Sequence, residues 1–242
     1  MNAVVDTNTE PMLLREDANG VATLTLNRPG QFNSLSRSML EVLLAELESI
    51  AADKSVRAVV LAGAGKAFCA GHDLKEMRGN HTKAFMQALF RLCGKVMMQI
   101  VNMPQPVIAR IHGIATAAGC QLVSMCDLAV ASDVARFAVS GINVGLFCAT
   151  PSVGLSRNMG RKQAFEMLVT GDFIDAAEAQ RAGWSIALCR WMRWTTKWRS
   201  LPRRSAPSRR PPLRWASRCS TRSSKWASTP PTSTLPKSWP AT

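Results

Sequence analysis

Two runs that are rich in apolar residues near the start of the chain predict two short β-strands. Residues 12–15 and Val21–Leu26 carry this pattern, and Asn19-Gly20 between them supplies the positive φ angles that a tight turn requires. The chain is therefore expected to open with a β-hairpin.

Apolar residues with a helical spacing follow the hairpin. Ser36 is placed to cap the N-terminus of a helix that runs to Ala52, with its apolar residues three and four positions apart. Pro104 and Pro106 end a second helix, and Asp175 opens the last one. Beyond the helix that starts at Ser36, the pattern predicts helices at 80–103, 117–125, 161–170 and 175–182.

The run at residues 56–62 is apolar on both faces after Arg57, and further strands are predicted at 107–111 and 128–131. Such strands are usually buried between layers, and their alternation with helices predicts an α/β fold with repeating ββα units. The segment 142–151 is apolar, contains Gly145 and is expected to be a loop that lines a pocket.

Two strand-to-helix turns carry the strongest chemical signal. The stretch 66–77 follows a buried strand through Gly63-Ala64-Gly65, and the stretch 111–127 contains the small residues Ala115, Ala117, Ala118 and Gly119. Turns of this kind leave main-chain N–H groups without partners, and small side chains let a ligand approach them. Both turns therefore offer donors for an oxyanion hole.

These turns lie within a series of motifs that resembles the crotonase (enoyl-CoA hydratase/isomerase) superfamily. The resemblance covers residues 12–183. Its anchors are Leu26-Asn27-Arg28-Pro29, Asn33-Ser34-Leu35-Ser36, Phe68-Cys69-Ala70-Gly71-His72-Asp73-Leu74, His112-Gly113, Ala118-Gly119-Cys120, Cys126-Asp127-Leu128-Ala129 and Thr170-Gly171-Asp172.

The resemblance implies a superhelix of ββα units and an acyl-CoA ligand, with no cofactor besides the CoA of the substrate and no metal. It implies that the main-chain N–H groups of His72 and Ala118 bind the thioester oxygen. It also implies assembly as a homotrimer or hexamer, with no nucleic acid and no membrane as partner. The substrate-binding positions implied by the family pattern are Ala70, Asp73, Leu74, Lys75 and Gly119.

Hydratases of this family use two glutamates, and both positions differ here. Gln121 stands at the first and Gly141 at the second, and neither side chain can exchange a proton at neutral pH. A branch named enoyl-CoA hydratase domain-containing proteins, whose members tend to lack this pair, is especially similar. That similarity lies in residues 112–121 and 143–147.

Other polar residues near the turns have alternative interpretations. His72 either only lines the pocket or takes part in acid–base catalysis or polar recognition of the ligand. Asp73 has either a structural or a catalytic role. Lys75 is either a contact to the CoA adenosine or a solvated lysine. His112 is expected to be a hydrogen-bonded core residue. Cys69 and Cys120 are expected to be small buried residues that pack in the core and have no chemical role.

Composition divides the chain at Gly183. Residues 1–183 hold 17 Lys and Arg and all 16 Asp and Glu, so their net charge is only +1, whereas the whole chain carries +14. Seven Cys without a Cys-x-x-Cys pair are typical of a reducing compartment, and a cytoplasmic location is expected. Neither a leader peptide nor a membrane span is expected at the acidic N-terminus.

The stretch 184–242 contains 13 Lys and Arg, no acidic residue and all seven Trp. This composition is typical of a GC-rich coding sequence read out of frame, and a natural disordered extension or a basic nucleic-acid arm are the alternatives. The predicted organisation is a flexible N-terminus at 1–11, a crotonase-like core at 12–183 and an aberrant basic tail at 184–242.

Three hypotheses on function follow from these observations. The chain is an enoyl-CoA hydratase/isomerase family enzyme that stabilises a thioester enolate, with hydration compromised at Gln121 and Gly141. Alternatively, it binds acyl-CoA without catalysis, or it is a non-functional product of a frameshift.

Overall fold

The computed structural model describes residues 10–184 and the backbone of residues 187–189. Two sheets organise the described chain, a six-stranded sheet and a four-stranded sheet. The strands are β1 (Leu13–Ala18), β2 (Val21–Leu26), β3 (Ala58–Gly63), β4 (Ala67–Cys69), β5 (Val107–Ile111), β6 (Ile114–Thr116), β7 (Leu128–Ser132), β8 (Arg136–Ala138), β9 (Ile174–Asp175) and β10 (Ala187–Cys189).

Helices cover the sheets and connect their strands. They are α1 (Arg37–Ala52), α2 (Leu74–Gly79), α3 (Lys83–Asn102), α4 (Ala118–Met125), α5 (Ala149–Asn158), α6 (Arg161–Thr170) and α7 (Ala176–Arg181). Short 3₁₀ turns at Pro29–Gln31 and Ser140–Val144 complete the set in the described region.

The predicted ββα repeat is confirmed. The six-stranded sheet has the order β1-β2-β3-β5-β7-β10, and the four-stranded sheet has the order β4-β6-β8-β9. The two strands of one unit, such as β3 and β4 or β5 and β6, thus lie in different sheets, and a helix follows each pair. Parallel pairing of β4 with β6 and of β6 with β8 brings the ends of successive units together.

The opening hairpin has the predicted turn. Asn19 and Gly20 adopt φ angles of 55° and 77°, and β1 pairs antiparallel with β2 over six residue pairs. β1 extends to Ala18, past the predicted end at residue 15, because it pairs with β2 up to the turn. Local turn chemistry therefore sets the register here.

Side-chain caps set the helix starts. The Ser36 hydroxyl accepts a hydrogen bond from the Met39 N–H at the start of α1, and Asp175 does the same for the Glu178 N–H in α7. The helix predicted at 80–103 begins later, because Thr82 caps α3 at the Phe85 N–H. α2 was not predicted, since none of its six residues is buried and no apolar period marks it.

α3 is long and apolar enough, by length and composition, to cross a bilayer. It contributes Leu89, Cys93, Val96, Met97 and Ile100 to the hydrophobic core. A core helix meets the same criterion, so this property alone does not indicate a membrane span.

The loop prediction for residues 142–151 is wrong at both ends. A 3₁₀ turn occupies Ser140–Val144, and α5 begins at Ala149. Pro151 lies in the first turn of α5, where its missing N–H leaves no helical hydrogen bond unmade.

Trp184, the first residue of the predicted tail, packs in the core with 5 % of its surface exposed. Its ring lies 4.9 Å from that of Phe137 in a T-shaped arrangement, and its Nε1–H donates to the Ser124 hydroxyl at 3.0 Å. The backbone of β10 pairs in parallel with β7. The flexible segment predicted at 1–11 falls outside the described residues except for its last two positions, and the tail beyond 184 does so except for the β10 backbone.

Candidate active site

The two small-residue turns lie side by side in the structure. Gly71, with φ 91°, approaches the N-terminus of α4 so closely that a Cβ on it would lie 3.0 Å from Ala117 Cβ and 3.2 Å from Ala118 N. No other residue type fits this position without displacing the α4 turn. The sequence motifs around His72 and Ala118 therefore belong to one site.

The main-chain N–H groups of His72 and Ala118 have no acceptor among the described residues. A β-bridge joins Leu35 to His72, but its hydrogen bonds use the Gly71 carbonyl and the Asp73 N–H. Ala118 is the first residue of α4, and such a residue has no partner within its own helix. Two unpaired donors thus stand on adjacent turns, and the helix dipole favours negative charge at the second of them.

Ala117 holds the second turn in a strained conformation. Its φ of 48° and ψ of −117° are unusual for a residue with a Cβ, and such conformations cost on the order of 1–3 kcal/mol. Hydrogen bonds from the Ala117 N–H to the Ala138 carbonyl (2.9 Å) and from the Gln121 N–H to the Ala117 carbonyl (3.1 Å) keep the residue in place. Strain maintained by surrounding contacts is common at functional sites.

Further contacts fix the first turn against the second. The Thr116 hydroxyl donates to the Ala70 carbonyl at 2.9 Å, and the Ala70 N–H donates to the Phe32 carbonyl at 3.0 Å. Gly119 faces the Cys69 main chain, and a Cβ at this glycine would overlap the Cys69 carbonyl. Ala70 and Gly119, both predicted substrate-binding positions, therefore set the spacing of the turns through their backbones.

The His72 ring is largely enclosed, and both of its nitrogens are buried. The ring packs edge-on against Phe90 of α3, with 5.2 Å between centroids. Burial lowers the pKa of His72, and a hydrogen bond with the Leu35 backbone opposes this change only in part. The ring is therefore neutral at pH 7, with one N–H donor and one acceptor nitrogen.

Asp73 serves the structure of the turn. Its carboxylate caps α2 through the N–H groups of Lys75 (3.1 Å) and Glu76 (3.2 Å) and pairs with Arg28 at 3.2 Å. Although burial alone would raise the pKa of Asp73, the bonds from Glu76 and Arg28 lower it. A carboxylate engaged in this way is poorly suited to accept a proton in catalysis.

Leu74 and Lys75 follow on the surface of α2. Leu74 is 61 % exposed, and the Lys75 side chain is exposed as well. Contacts to a ligand at these two positions remain predictions.

The two positions at which the family's hydratases carry glutamate differ in their surroundings. Gln121 is 5 % exposed, and its buried Oε1 has no hydrogen-bond partner within residues 10–184. Gly141 is buried, and a Cβ on it would overlap the Leu146 carbonyl and lie 2.6 Å from Cys148 Sγ. The second position therefore has no room for a side chain in this fold.

The cysteines near the site are inert in their present surroundings. Burial raises the pKa of Cys69 to about 12 and also raises the pKa of Cys120, whose thiol donates to the Ala115 and Ala138 carbonyls. His112 Nε2 donates to the Gly65 carbonyl at 2.7 Å, as expected of a core residue. Within residues 10–184, no three His, Cys, Asp or Glu side chains are arranged to hold a metal ion.

Sequence reasoning missed the role of Asn33. This buried residue, with φ 54°, accepts a hydrogen bond from the Arg28 N–H and donates to the carbonyls of Ala64 (2.8 Å) and Ala67 (2.7 Å). It thereby ties the turn between β3 and β4 to the loop before α1. The motif Asn33-Ser34-Leu35-Ser36 marked this residue in the sequence. Its hydrogen-bond acceptors, Ala64 and Ala67, lie more than 30 residues away along the chain, so the motif alone did not reveal them.

A separate surface cleft of about 140 Å³ lies between α6 and α7. None of the candidate site residues lines it, so it has no part in the site described above. Its lining residues include Gln163, Glu166, Asp172, Phe173 and Glu178.

Comparison with known proteins gives consistent matches. A family model described as enoyl-CoA hydratase/isomerase matches residues 16–210. The mitochondrial enoyl-CoA hydratase domain-containing protein 3 of Xenopus laevis is 44 % identical over 169 residues, which are 70 % of this chain and 58 % of that protein. The chain therefore spans little more than half the length of this curated relative.

Solved structures agree with these matches. An enoyl-CoA hydratase from Mycobacterium smegmatis superposes with a TM-score of 0.79 and 57 % identity, covering 81 % of this chain and 76 % of that one. The human enoyl-CoA hydratase domain-containing protein 3 superposes with a TM-score of 0.78 and 39 % identity, covering 80 % and 77 %.

The expectation of a cytoplasmic location is contradicted by these comparisons. The frog, rat and human relatives are all named as mitochondrial proteins. The expectation was based on reduced cysteines, and reduced thiols do not distinguish one reducing compartment from another.

Proposed function

Because the chain belongs to the enoyl-CoA hydratase/isomerase family, we propose that it binds an acyl-CoA thioester and stabilises the enolate of that thioester. The donors are the main-chain N–H groups of His72 and Ala118. The contact between Gly71, which precedes His72, and the N-terminus of α4 supports the proposal, because the two turns that carry these N–H groups touch there.

Enolate formation at a thioester places negative charge on the carbonyl oxygen. Fixed donors aimed at that oxygen stabilise the transition state, and removing one donor from such a hole costs about 3 to 4 kcal/mol. Since the donors belong to the backbone, the side chains of His72 and Ala118 affect the hole mainly through size and local contacts.

Hydration is expected to be weak or absent. Gln121 cannot take up a proton, Gly141 has no side chain, and the Asp73 carboxylate is occupied by Arg28 and the α2 N-terminus. Binding of acyl-CoA with little turnover is the second candidate function. Gln121 and Gly141, at the positions of the family's two glutamates, favour it. A non-functional product, the third hypothesis, depends on the tail, most of which lies outside the described residues.

Two measurements on the full chain separate these functions. Isothermal titration calorimetry with crotonyl-CoA and with free CoA measures binding, and loss of the enoyl absorbance measures hydration. Thioester binding that exceeds free-CoA binding supports the oxyanion hole, with or without turnover. Failure of both ligands to bind would contradict the proposal and leave the non-functional product.

Self-association as a trimer or hexamer is a further part of the proposal. Four apolar side chains on a short segment are at least one-third exposed, and burial against another copy would remove them from water. They are Ile142, Val144, Leu146 and Phe147. Light scattering coupled to size exclusion measures the assembly, and a monomeric peak would contradict this part.

A further inference from the structure

One residue of the loop before α1 pairs with the turn that carries the first donor. The Leu35 N–H donates to the Gly71 carbonyl at 2.7 Å, and the Asp73 N–H donates to the Leu35 carbonyl at 3.3 Å. These two hydrogen bonds lie on either side of His72. The position of Leu35 therefore sets the position of the backbone around His72.

The bond to the Gly71 carbonyl also sets the direction of the His72 N–H. The Gly71 C=O and the His72 N–H belong to one trans peptide group, in which the two point in opposite directions. Because the carbonyl points at Leu35, the N–H points away from Leu35. A change in the bond between Leu35 and Gly71 would rotate this peptide group and turn the proposed donor with it.

Asn33 holds the loop in which Leu35 lies. Its side chain is completely buried, its Oδ1 accepts from the Arg28 N–H at 2.8 Å, and its Nδ2 donates to the carbonyls of Ala64 (2.8 Å) and Ala67 (2.7 Å). Ala67 is the first residue of β4, the strand that leads into the turn before α2. One amide thus fixes the loop against the strand whose end carries the first donor.

The backbone at Asn33 depends on these hydrogen bonds. The residue adopts a φ of 54°, and Phe32 before it adopts a φ of 50°, so two successive residues occupy the left-handed region. This region is unfavourable for residues with a Cβ, although asparagine tolerates it better than most. Without the side-chain bonds the loop would relax to a more favourable conformation and carry Leu35 with it.

We propose that Asn33 is a positioning residue for the oxyanion hole. By holding the loop, it keeps the hydrogen bond between Leu35 and Gly71 in place and thereby aims the His72 N–H at the thioester oxygen. This role rests on the proposed acyl-CoA function. Because both ends of the Asn33 amide are occupied by main-chain partners, the residue acts through the backbone and not by contact with the ligand.

Carbon-13 NMR of crotonyl-CoA labelled at the thioester carbonyl tests this role on the full chain. Hydrogen bonds to a carbonyl oxygen polarise the C=O bond, so we expect the carbonyl resonance to move downfield when the wild type binds the thioester. Asn33→Asp keeps the acceptor for the Arg28 N–H but places an oxygen against the carbonyls of Ala64 and Ala67. We expect this variant to lose about half of the downfield shift, since one of the two donors is misaligned.

Affinity gives a second readout on the same variant. Calorimetry should show crotonyl-CoA binding weakened by up to about tenfold and free-CoA binding unchanged, as the loss of one neutral hydrogen bond to the thioester allows. A purely structural role of Asn33 would lower the amount of folded protein without changing the resonance of the ligand that is bound to the folded fraction.

Asn19→Asp is the matched control for this substitution. Asn19 also has a positive φ, 55°, but lies in the exposed turn between β1 and β2. It should leave the carbonyl shift and both affinities unchanged. Asn33→Gly, which removes the hydrogen bonds without a penalty for the left-handed backbone, should reduce the shift as Asn33→Asp does.

Amide hydrogen exchange measures the bond between Leu35 and Gly71 directly. The Leu35 N–H should be protected in the wild type and should lose this protection in the Asn33 variants. A Leu35 amide that exchanges freely in the wild type would overturn the inference even if neither variant folds. Folded Asn33 variants with the full carbonyl shift would also overturn it, while the proposed function would stand. Absence of thioester binding by the wild type would overturn the proposed function as well.

Discussion

Replacing Gly71 with alanine tests whether the contact between the two turns creates the thioester site. The new Cβ would lie 3.0 Å from Ala117 Cβ and 3.2 Å from Ala118 N, whereas carbon atoms normally approach to about 3.5–4.0 Å. The turns must therefore separate by about 0.5 Å, and at least one N–H group would lose its alignment with the carbonyl oxygen. Loss of one neutral hydrogen bond weakens binding by up to about tenfold.

Gly145→Ala is the matched control for this substitution. Gly145 also has a positive φ, 76°, but a Cβ there would meet no atom of the described residues within 4 Å. Both alanines carry the cost of a left-handed backbone, about 1–2 kcal/mol, which corresponds to a loss of about 2–8 °C in melting temperature. The two variants thus share the backbone strain, and only Gly71→Ala adds the clash at the site.

Calorimetry with crotonyl-CoA and with free CoA gives the decisive comparison. We expect Gly71→Ala to lose about tenfold in crotonyl-CoA affinity and to keep its affinity for free CoA, whereas Gly145→Ala keeps both. If Gly71→Ala binds crotonyl-CoA as the wild type does, the contact between the turns does not form the thioester site.

Three further predictions follow from the described contacts. The double variant Gln121→Glu/Gly141→Glu is expected to be much less stable than Gln121→Glu alone and to hydrate crotonyl-CoA no better, because a Cβ at Gly141 would lie 2.6 Å from Cys148 Sγ. Thermal melting measures the stability and the hydration assay measures the activity. A stable, active double variant would contradict this prediction. The pKa of Asp73 is lowered in the folded chain, so the Asp73 carboxylate stabilises the fold fully above its unfolded pKa of about 3.9. This stabilisation is lost as the pH falls through the folded pKa. Urea unfolding between pH 2 and 7 should show the loss of this contribution in the wild type and not in Asp73→Asn. Trp184→Ala should cost about 3–5 kcal/mol of unfolding free energy, since the ring packs on Phe137 and bonds to Ser124. Val134→Ala, at a side chain that is 60 % exposed, should change the unfolding free energy little. Urea denaturation measures both, and equal effects of the two substitutions would place Trp184 outside the core.

Signals that act within a few residues were readable from the sequence. Asn19-Gly20 set the hairpin, Ser36 and Asp175 capped their helices, and the apolar runs predicted the long strands of the larger sheet. Each of these depends on neighbours in sequence, such as a hydroxyl that reaches an N–H three residues on. The composition change after Gly183 was equally visible, although Trp184 itself packs with the core.

Short elements were not readable, because they carry no period of their own. β4, β6 and β8 have three residues each, and they exist because each pairs with a strand from another repeat. α2 depends on its Asp73 cap, with no buried face to mark it. Secondary structure of this kind is decided by tertiary pairing, which outweighs local propensity.

The candidate site shows the same division. Its residue types and its two turns were determined by the sequence, including the absence of both glutamates. Only the fold decided that Gly71 lies against Ala118, that Gly141 has no space for a side chain, and that both nitrogens of the His72 ring are buried. The physical reason is that these properties arise from the order and register of strands in the smaller sheet, which bring together residues that are distant along the chain.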